Sequence, residues 1–327
     1  MGTTGRSILA FFIVAGGIFA AVPTLAQSYP AKPIRLIVPF PPGGINDVVA
    51  RPLVERMKSV LGTIVIENLS GAGGVIGASA VARAEADGYT MLLGSAATHI
   101  VGPLTMAARS YDPLKDFRPI GIVAVGGIAI SVHPSLPVKT LKELVAFAAG
   151  PVRALSYGSA GIGSATHLAG ELFKSLIHAP GILHAPYRGG APLLADLLGG
   201  HIPVGVINIS SQVIDHHRAG KIRVLAVTTA NRATAAPEIA AARETVAGMI
   251  AGNFSGLFVP AATPQPIVEK LVATMQLAMA DKTVLELLAN AGLEVSADNT
   301  PEKAHRYLED EITRLSPVIK SLGLKLD

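Results

Sequence analysis

The sequence has neither cysteine nor tryptophan, and aromatic residues make up only 5% of its 327 residues. Without cysteine the chain forms no disulfide, has no thiol nucleophile or cysteine-ligated metal, and carries no lipid on an N-terminal cysteine. The lack of tryptophan argues against an aromatic cage for a sugar or a quaternary amine. The net charge is mildly basic at +4, but the basic residues form no clustered run, so nucleic acid is not an expected partner.

Sequence signatures of catalysis are also missing. The chain contains no Gly-x-Ser-x-Gly elbow, no His-Glu-x-x-His zinc motif and no Gly-Lys-Ser/Thr phosphate loop. His216 and His217 are adjacent, and neighbouring helical residues diverge by about 100°, so they do not suit a shared metal ion. We therefore predict no catalytic residue, no metal and no cofactor. A hydrolase is kept as an alternative, which would need a hydroxyl nucleophile beside a histidine.

The N-terminus has the composition of an export signal. Arg6 precedes the apolar run 8–22, and small residues follow it up to Ala26. A membrane-spanning helix needs about 20 apolar residues, and this run is shorter. We predict a signal peptide at residues 1–26, cleavage after Ala26, and a mature protein that is free in the periplasm. The remaining 301 residues (327 − 26 = 301) are enough for two domains.

Strand and helix patterns alternate along the chain. Predicted strands cover 34–38, 64–66, 90–93, 120–125, 128–132, 154–157, 182–184, 202–207, 224–227 and 254–259. Predicted helices cover 48–61, 141–149, 164–178, 191–198, 264–280, 282–290 and 301–322, with two more ending near residues 86 and 218. This alternation is typical of α/β proteins in which a mixed, mostly parallel sheet is flanked by helices.

The element order also predicts two lobes. The first comprises residues 28–127 with 229–327, and the second comprises residues 128–228. The chain would cross between them twice, near Gly126-Gly127 and near Thr228-Thr229. Two crossings form a hinge, so we expect the ligand in the cleft between the lobes.

Residues 38–47 join the first strand to the first helix. The prolines stiffen this loop, and Gly43 and Gly44 allow backbone conformations closed to other residues. Asn46 and Asp47 are expected to cap the helix. Unpaired amides at a helix N-terminus favour an anion, so the loop is predicted to form half of a site for a small carboxylate.

Two other features of this region are interpreted as structural. Pro52 lies inside the helix pattern, so the helix either starts near Arg51 or has a distorted first turn capped by Asp47. The glycine run 71–77 resembles a dinucleotide-binding fingerprint, but its spacing is one residue too long and it follows the second strand. A tight turn into a packed helix is the better interpretation.

Residues 157–167 repeat the design of the first loop, with a strand, a glycine-serine loop and a helix start. Ser159, Ser164 and Thr166 can donate hydroxyl hydrogen bonds beside the loop amides. Ser164 alone is explained as an N-cap. Because the whole segment repeats the first loop in the other lobe, we predict that it forms the second half of the site.

Sequence runs along nearly the whole mature chain closely resemble the Bug family, the periplasmic receptors of tripartite tricarboxylate transporters. The runs are YPAKPIRLIVPFPPGG (29–44), EN (67–68), GAGG (71–74), ADGYT (86–90), YDPLKDF (111–117), VHPSLPV (132–138), HLAGELF (167–173), APYRG (185–189), DLLGG (196–200) and LAVT (225–228). The resemblance implies a two-lobed, type II-like Venus-flytrap fold of the periplasmic-binding-protein class. It also implies that backbone amides, hydroxyls and ordered waters hold a carboxylate between the lobes.

What the resemblance implies about function and site can be carried onto this chain. We expect a monomeric solute-binding protein, not an enzyme, that delivers a dicarboxylate, a tricarboxylate or an aromatic acid to a membrane permease. A sensor that serves a two-component kinase is an alternative. The implied ligand-binding residues are Phe40, Gly43, Gly44, Ile45, Asn46, Asp47, Thr98, His99, Ser159, Ser164, Thr166, His167, Tyr187 and Asn208.

Two departures from the family pattern bear on the ligand. Ile45 and Asn46 stand where the family often has Ser-Thr, which removes hydroxyl donors and adds bulk and an amide. Ile207 stands where the family commonly has an aspartate, which would suit a ligand amine. Its loss argues against an amino-acid ligand.

Overall fold

Strands and helices alternate through most of the protein. The computed structural model describes residue 2 and residues 29–106, 110–150, 155–233, 235–295 and 299–323. The strands are β1 (Ile34–Val38), β2 (Ile64–Asn68), β3 (Thr90–Ser95), β4 (Phe117–Val132), β5 (Ser156–Ser159), β6 (Leu183–Pro186), β7 (Val204–Asn208), β8 (Arg223–Val227), β9 (Gly252–Pro260) and β10 (Leu293–Glu294). The helices are α1 (Ile45–Leu61), α2 (Val75–Ala82), α3 (Gly102–Thr105), α4 (Leu141–Ala148), α5 (Ala165–Leu176), α6 (Gly190–Leu198), α7 (Ser211–Arg218), α8 (Gln265–Met279), α9 (Lys282–Asn290) and α10 (Pro301–Ser321). A π-helical turn covers Ala97–Val101, and 3₁₀ turns cover Ala72–Gly74 and Ala242–Glu244.

The predicted α/β class is confirmed. The predicted signal peptide lies outside the described residues, apart from Gly2, and so does Ala154 of one predicted strand. None of the helices within the described ranges combines the length and apolar character needed to cross a bilayer. The short strand β10 was not predicted.

The described strands form one mixed, 10-stranded sheet with the order β2-β1-β3-β9-β4-β7-β5-β6, and β8 and β10 also pair with β4. The pairs β1/β2, β1/β3, β5/β6 and β5/β7 are parallel. Parallel strands have their carboxyl ends at one edge, where ligands of open α/β sheets bind. The topology therefore places the loops after β1 and β3, and those after β5, β6 and β7, at the carboxyl ends of the parallel strands.

Strand β4 is a single strand of 16 residues, so the prediction of two strands broken at Gly126-Gly127 was wrong. Its first part pairs with β9, down to Gly127 opposite Gly252. Its second part pairs with β7 and β8, from Ile128 onward. A Cβ on Gly126 would lie 2.7 Å from Leu293 Cδ2, and one on Gly127 would lie 2.9 Å from Thr229 Cγ2, so either neighbouring side chain would have to shift. Glycine here permits close packing without ending the strand.

Helix α1 packs one apolar face on the sheet. Val49, Leu53 and Met57 repeat at a spacing of four, are at most 1% exposed, and join a core with β1, β3 and α8. Burying side chains of this size stabilises by roughly 1.5–3 kcal/mol each. With this packing α1 runs from Ile45 through Pro52, so one of the two alternatives, a helix that starts near Arg51, was wrong.

The segment after β8 packs with the helix and strand that precede it, α7 and β8. Ala233, Ala236 and Ile239 share a core with Ile214 and Ile222. An isolated bridge joins Val227 to Ala241, and Arg218 pairs with Glu238 at 2.9 Å. The segment between β8 and β9 is therefore attached to the β7/β8 side of the sheet.

Candidate functional site

A cavity of about 160 Å³ lies at the carboxyl edge of the parallel strands. The loops that follow β1, β3, β5, β6 and β7 all contribute to its wall. Its lining is Phe40, Pro41, Pro42, Gly43, Gly44, Ile45, Asn46, Val48, Ser95, Ala97, Ala160, Ser164, Ala165, Thr166, Arg188, Gly189, Gly190, Ala191, Pro192, Leu194, Ile207, Asn208, Ser210, Ser211, Gln212, Val213, Asn253 and Ala291.

Four helices begin at this cavity. The N-cap residues of α1, α5, α6 and α7 are Gly44, Ser164, Gly189 and Ser210, and each lines it. Ser164 and Ser210 accept hydrogen bonds from their own helices, whereas the two glycines have no side chain with which to do so. The first amides of a helix and its dipole both favour negative charge, by roughly 0.3–1 kcal/mol per terminus. The cavity is therefore suited to an anion.

The loop before α1 is fastened by Asp47. The Gly43 amide donates to Asp47 Oδ2 at 3.0 Å, and Arg51 donates to both carboxylate oxygens at 2.8 and 3.1 Å. Burial alone would raise the pKa of Asp47, but these hydrogen bonds outweigh it and hold the pKa below its ordinary value. Neither Asn46 nor Asp47 caps α1 as predicted, because Gly44 is the N-cap residue and both lie inside the first turn.

Two buried polar atoms in the cavity wall have no hydrogen-bond partner among the described residues. They are Asn46 Nδ2 and Ser95 Oγ, in side chains that are 2% and 1% exposed. An unpaired buried polar group costs about 1–3 kcal/mol, so such atoms indicate a missing partner. Ser95 is held in place by Thr98, whose Oγ1 accepts the Ser95 amide hydrogen bond at 2.8 Å.

The opposite wall is a small hydroxyl network. Ser164 Oγ accepts the His167 amide at 3.1 Å, as predicted for an N-cap. Thr166 Oγ1 accepts the Ala160 amide at 2.9 Å and lies 2.9 Å from Ser164 Oγ. Both hydroxyls line the cavity, so the loop after β5 and the start of α5 are ordered by the same groups that face the cavity.

Of the sequence-predicted residues, the structure brings eight to this cavity. They are Phe40, Gly43, Gly44, Ile45, Asn46, Ser164, Thr166 and Asn208. Asp47, Thr98, His99, Ser159, His167 and Tyr187 lie behind or beside the lining. The ligand-binding role of all 14 stays a prediction.

His99 lies in the hydrophobic core. Its ring is fully buried and stacks on Phe258, with ring centroids 3.9 Å apart. Nδ1 is 2.9 Å from Thr98 Oγ1, while Nε2 has no partner among the described residues. Burial lowers the pKa of His99 to about 3, so the ring is neutral near pH 7.

A serine–histidine pair does exist behind the second wall. Ser159 Oγ lies 2.7 Å from His184 Nε2, and the His184 ring stacks on His167 at 4.1 Å. Burial, with a smaller contribution from His167, lowers the pKa of His184 to about 4. Ser159 is fully buried and outside the lining, so the pair braces the loop and does not face the cavity.

The loops around the cavity touch one another from opposite sides. A Cβ on Gly73 would lie 2.8 Å from the Ile162 carbonyl oxygen, and one on Gly292 would lie 3.3 Å from Ser210 Cα. A Cβ on Gly189 would lie 3.8 Å from the side chain of Pro41. The cavity is therefore narrowed by contacts between the β1/β2 side and the β5/β6 side of the sheet.

Sequence reasoning missed six polar side chains of the lining that the topology brings there: Ser95, Arg188, Ser210, Ser211, Gln212 and Asn253. Asn253 Oδ1 accepts the amides of Ala96 and Phe254 at 3.3 and 3.0 Å, which fixes the loop after β3. Ser95 is the last residue of the apolar strand β3, and that position was the available signal. Asn253 precedes β9's apolar run and had no such signal. Among the described residues, no cluster of three or more potential metal ligands is found.

Comparisons with known proteins identify relatives over nearly the full length. A sequence model of a family described as "Tripartite tricarboxylate transporter family receptor", TctC, matches residues 49–324. Protein BugT of Bordetella pertussis is 34% identical over 323 residues, which is 98% of this chain and 98% of BugT.

Two solved structures show the same architecture. Rpa4515 of R. palustris, solved with adipate, is 34% identical, with a TM-score of 0.84 and coverage of 91% of this chain and 99% of that one. MatC (Rpa3494) of Rhodopseudomonas palustris, solved with malate, is 29% identical, with a TM-score of 0.83 and coverage of 89% and 100%. The predicted fold class and family resemblance are thereby confirmed. The chain belongs to the tripartite tricarboxylate transporter receptor (TctC) family of periplasmic solute-binding proteins.

Proposed function

We propose that this protein captures a small organic carboxylate in the cavity and presents its closed form to the membrane permease of a tripartite transporter. The observation that carries this proposal is the meeting of four helix N-termini with two unpaired buried polar side chains, Asn46 and Ser95. The N-termini favour a negative charge, and the amide and the hydroxyl supply donors for its oxygens.

The character of the lining supports an acid over an amine or a sugar. No carboxylate side chain lines the cavity among the described residues, so no anionic side chain there would form an ion pair with a ligand amine. Ile207 occupies the position where an acid would be needed. Adipate and malate, the acids in the two related structures, are both carboxylates.

Capture would proceed by closure of two lobes. Closure is favoured only by contacts that the ligand makes with both lobes at once. We keep the predicted first boundary, near Gly127. The packing of Ala233, Ala236 and Ile239 against α7 and its neighbours supports placing the second crossing near Gly252, and not at Thr228-Thr229.

The cellular setting forms part of the same proposal. A signal peptide at residues 1–26, cleaved after Ala26, would deliver a mature monomer to the periplasm. Mass spectrometry of the exported protein would test this directly. A mature N-terminus at Gln27 is expected, and a retained leader would contradict it.

Thermal-shift screening of carboxylic acids, with amines and sugars as controls, tests the ligand class. A ligand present at 100 times its Kd stabilises by about 2.7 kcal/mol, which gives a clear shift in Tm. Asn46→Ala and Thr166→Ala should each weaken the best acid in calorimetry by about tenfold or more, because each removes a hydrogen bond to a charged group. Ser59→Ala, on the exposed side of α1, is the control that should change nothing. Hits confined to amines or sugars, or unchanged affinity in both site variants, would contradict the proposal.

A further inference from the structure

Arg188 is the sole ionisable side chain in the described lining of the cavity. It is exposed. Its guanidinium makes no hydrogen bond or ion pair with the described residues. Many other arginines of the protein are paired, as Arg51 is with Asp47 and Arg232 with Glu244. An unpaired cation at the edge of an anion cavity is therefore available to a ligand.

The backbone that carries Arg188 is firmly held. The Tyr187 amide donates to the Ser159 carbonyl at 3.0 Å, and the Tyr187 hydroxyl donates to Asp196 Oδ2 at 2.9 Å. On the other side, Gly189 is the N-cap of α6 with φ of 125°, a conformation that side chains rarely adopt. The backbone at Arg188 is thus fixed, and only the rotamer of its side chain determines where the guanidinium lies.

Arg188 lies where the two sides of the cavity meet. A Cβ built on the neighbouring Gly189 would lie 3.8 Å from the side chain of Pro41 in the first loop. The unpaired donors of Asn46 and Ser95 are buried, whereas Arg188 is exposed. The cavity therefore has neutral donors at its buried end and one full positive charge at its open edge.

We propose that Arg188 recognises a second negative charge on the ligand, so that this protein selects dicarboxylates over monocarboxylates of the same length. The inference rests on the proposed function, since the first carboxylate is the one held at the helix N-termini. The second carboxylate pairs with the guanidinium as the cavity closes. Arginine suits this role because its planar fork donates two parallel hydrogen bonds to a carboxylate.

Paired linear acids test the inference by calorimetry and stopped-flow kinetics. The pairs are butyrate with succinate, hexanoate with adipate, and octanoate with suberate. In at least one pair the dicarboxylate should bind about tenfold or more tightly. Arg188→Gln should remove that preference by weakening the dicarboxylate, with less than a twofold effect on its monocarboxylate partner. Arg188→Lys should restore part of the preference, since it keeps the charge and loses the fork.

The kinetics separate pairing from simple attraction at a distance. Pairing predicts a faster dissociation rate for the dicarboxylate in Arg188→Gln, whereas attraction at a distance changes mainly the association rate and disappears at high salt. Arg306→Gln, an exposed arginine on α10 outside the lining, is the matched control. Equal losses for both acids of a pair, an effect on association alone, or no preference in any pair would overturn the inference and leave the proposed function intact. Failure of every acid to bind the wild-type protein would overturn both.

Discussion

Asn46 gives the sharpest prediction because its effects on stability and binding should have opposite signs. Its side chain is 2% exposed, and Nδ2 has no partner among the described residues. An unpaired buried group costs about 1–3 kcal/mol, which a leucine with the same heavy-atom branching avoids. Asn46→Leu should therefore raise the ligand-free unfolding free energy by about 1–2 kcal/mol, and Tm by about 2–5 °C. It should weaken carboxylate binding roughly 10- to 150-fold, the equivalent of about 1.5–3 kcal/mol.

Asn68 provides the matched control for this prediction. It lies near the same loop, and its Nδ2 donates to the Phe40 carbonyl at 2.8 Å. Asn68→Leu breaks that bond, so it should lower the unfolding free energy by about 1 kcal/mol or more. Urea unfolding and calorimetry measure both quantities for each variant. A loss of stability in Asn46→Leu together with unchanged affinity would refute the reasoning, because Asn46 would then be a structural residue.

Three further predictions concern the loop anchor, the contact across the cavity and the buried histidine. Asp47→Ala leaves the Gly43 amide unpaired and should lower the unfolding free energy by about 2–4 kcal/mol in urea. Because the pKa of Asp47 is lowered, its contribution is present above about pH 4 and is lost as pH falls through the folded-state pKa. A stability difference between wild type and Asp47→Ala that stays constant as the pH is lowered below about 4 would contradict this. Gly73→Ala places a Cβ 2.8 Å from the Ile162 carbonyl oxygen, across the cavity. The loss of binding free energy measured by calorimetry should therefore exceed the loss of unfolding free energy of the ligand-free protein. A variant that loses stability and keeps its affinity would count against closure. The pKa of buried His99 is lowered to about 3, so the histidine is protonated in the unfolded chain before it is protonated in the folded protein. The unfolding free energy should therefore fall as the pH drops from about 6.5 toward 3. His99→Phe should make this fall smaller in urea unfolding at several pH values, and an unchanged pH dependence would contradict the prediction.

Local features of the fold were predictable from the sequence. The bounds of β1 and α9 match their predictions, and Ser164 caps α5 by accepting the His167 amide at 3.1 Å. These elements depend on neighbours within a few residues, such as an apolar run between prolines or a hydroxyl three residues before its donor. Nearby sequence is enough to define them.

Long-range packing explains the errors. Gly126-Gly127 has the composition of a turn, yet pairing with β9 on one side and β7 on the other keeps β4 continuous. Tertiary pairing therefore outweighs the weak strand preference of glycine. In the same way, α1 begins well before Pro52 and continues through it, because the apolar face around it is buried against the sheet.

The residues of the candidate site likewise divide into those that nearby sequence predicts and those that long-range packing decides. The two glycine-rich loops were visible because a strand, a flexible loop and a helix start follow one another in sequence. His99 appeared equally polar, but Phe258, far along the chain, encloses it in the core. Arg188 and Asn253 reach the cavity only through the strand order of the sheet, which residue patterns do not specify.

The central claim is that an acid is held where helix N-termini meet in the cavity. It is tested most directly by a crystal structure with the carboxylic acid that gives the largest thermal shift. We predict one carboxylate within hydrogen-bond distance of Asn46 Nδ2 and of the first amides of α1 and α5. An acid bound outside the cavity, or bound in it without contact to either helix N-terminus, would contradict the claim.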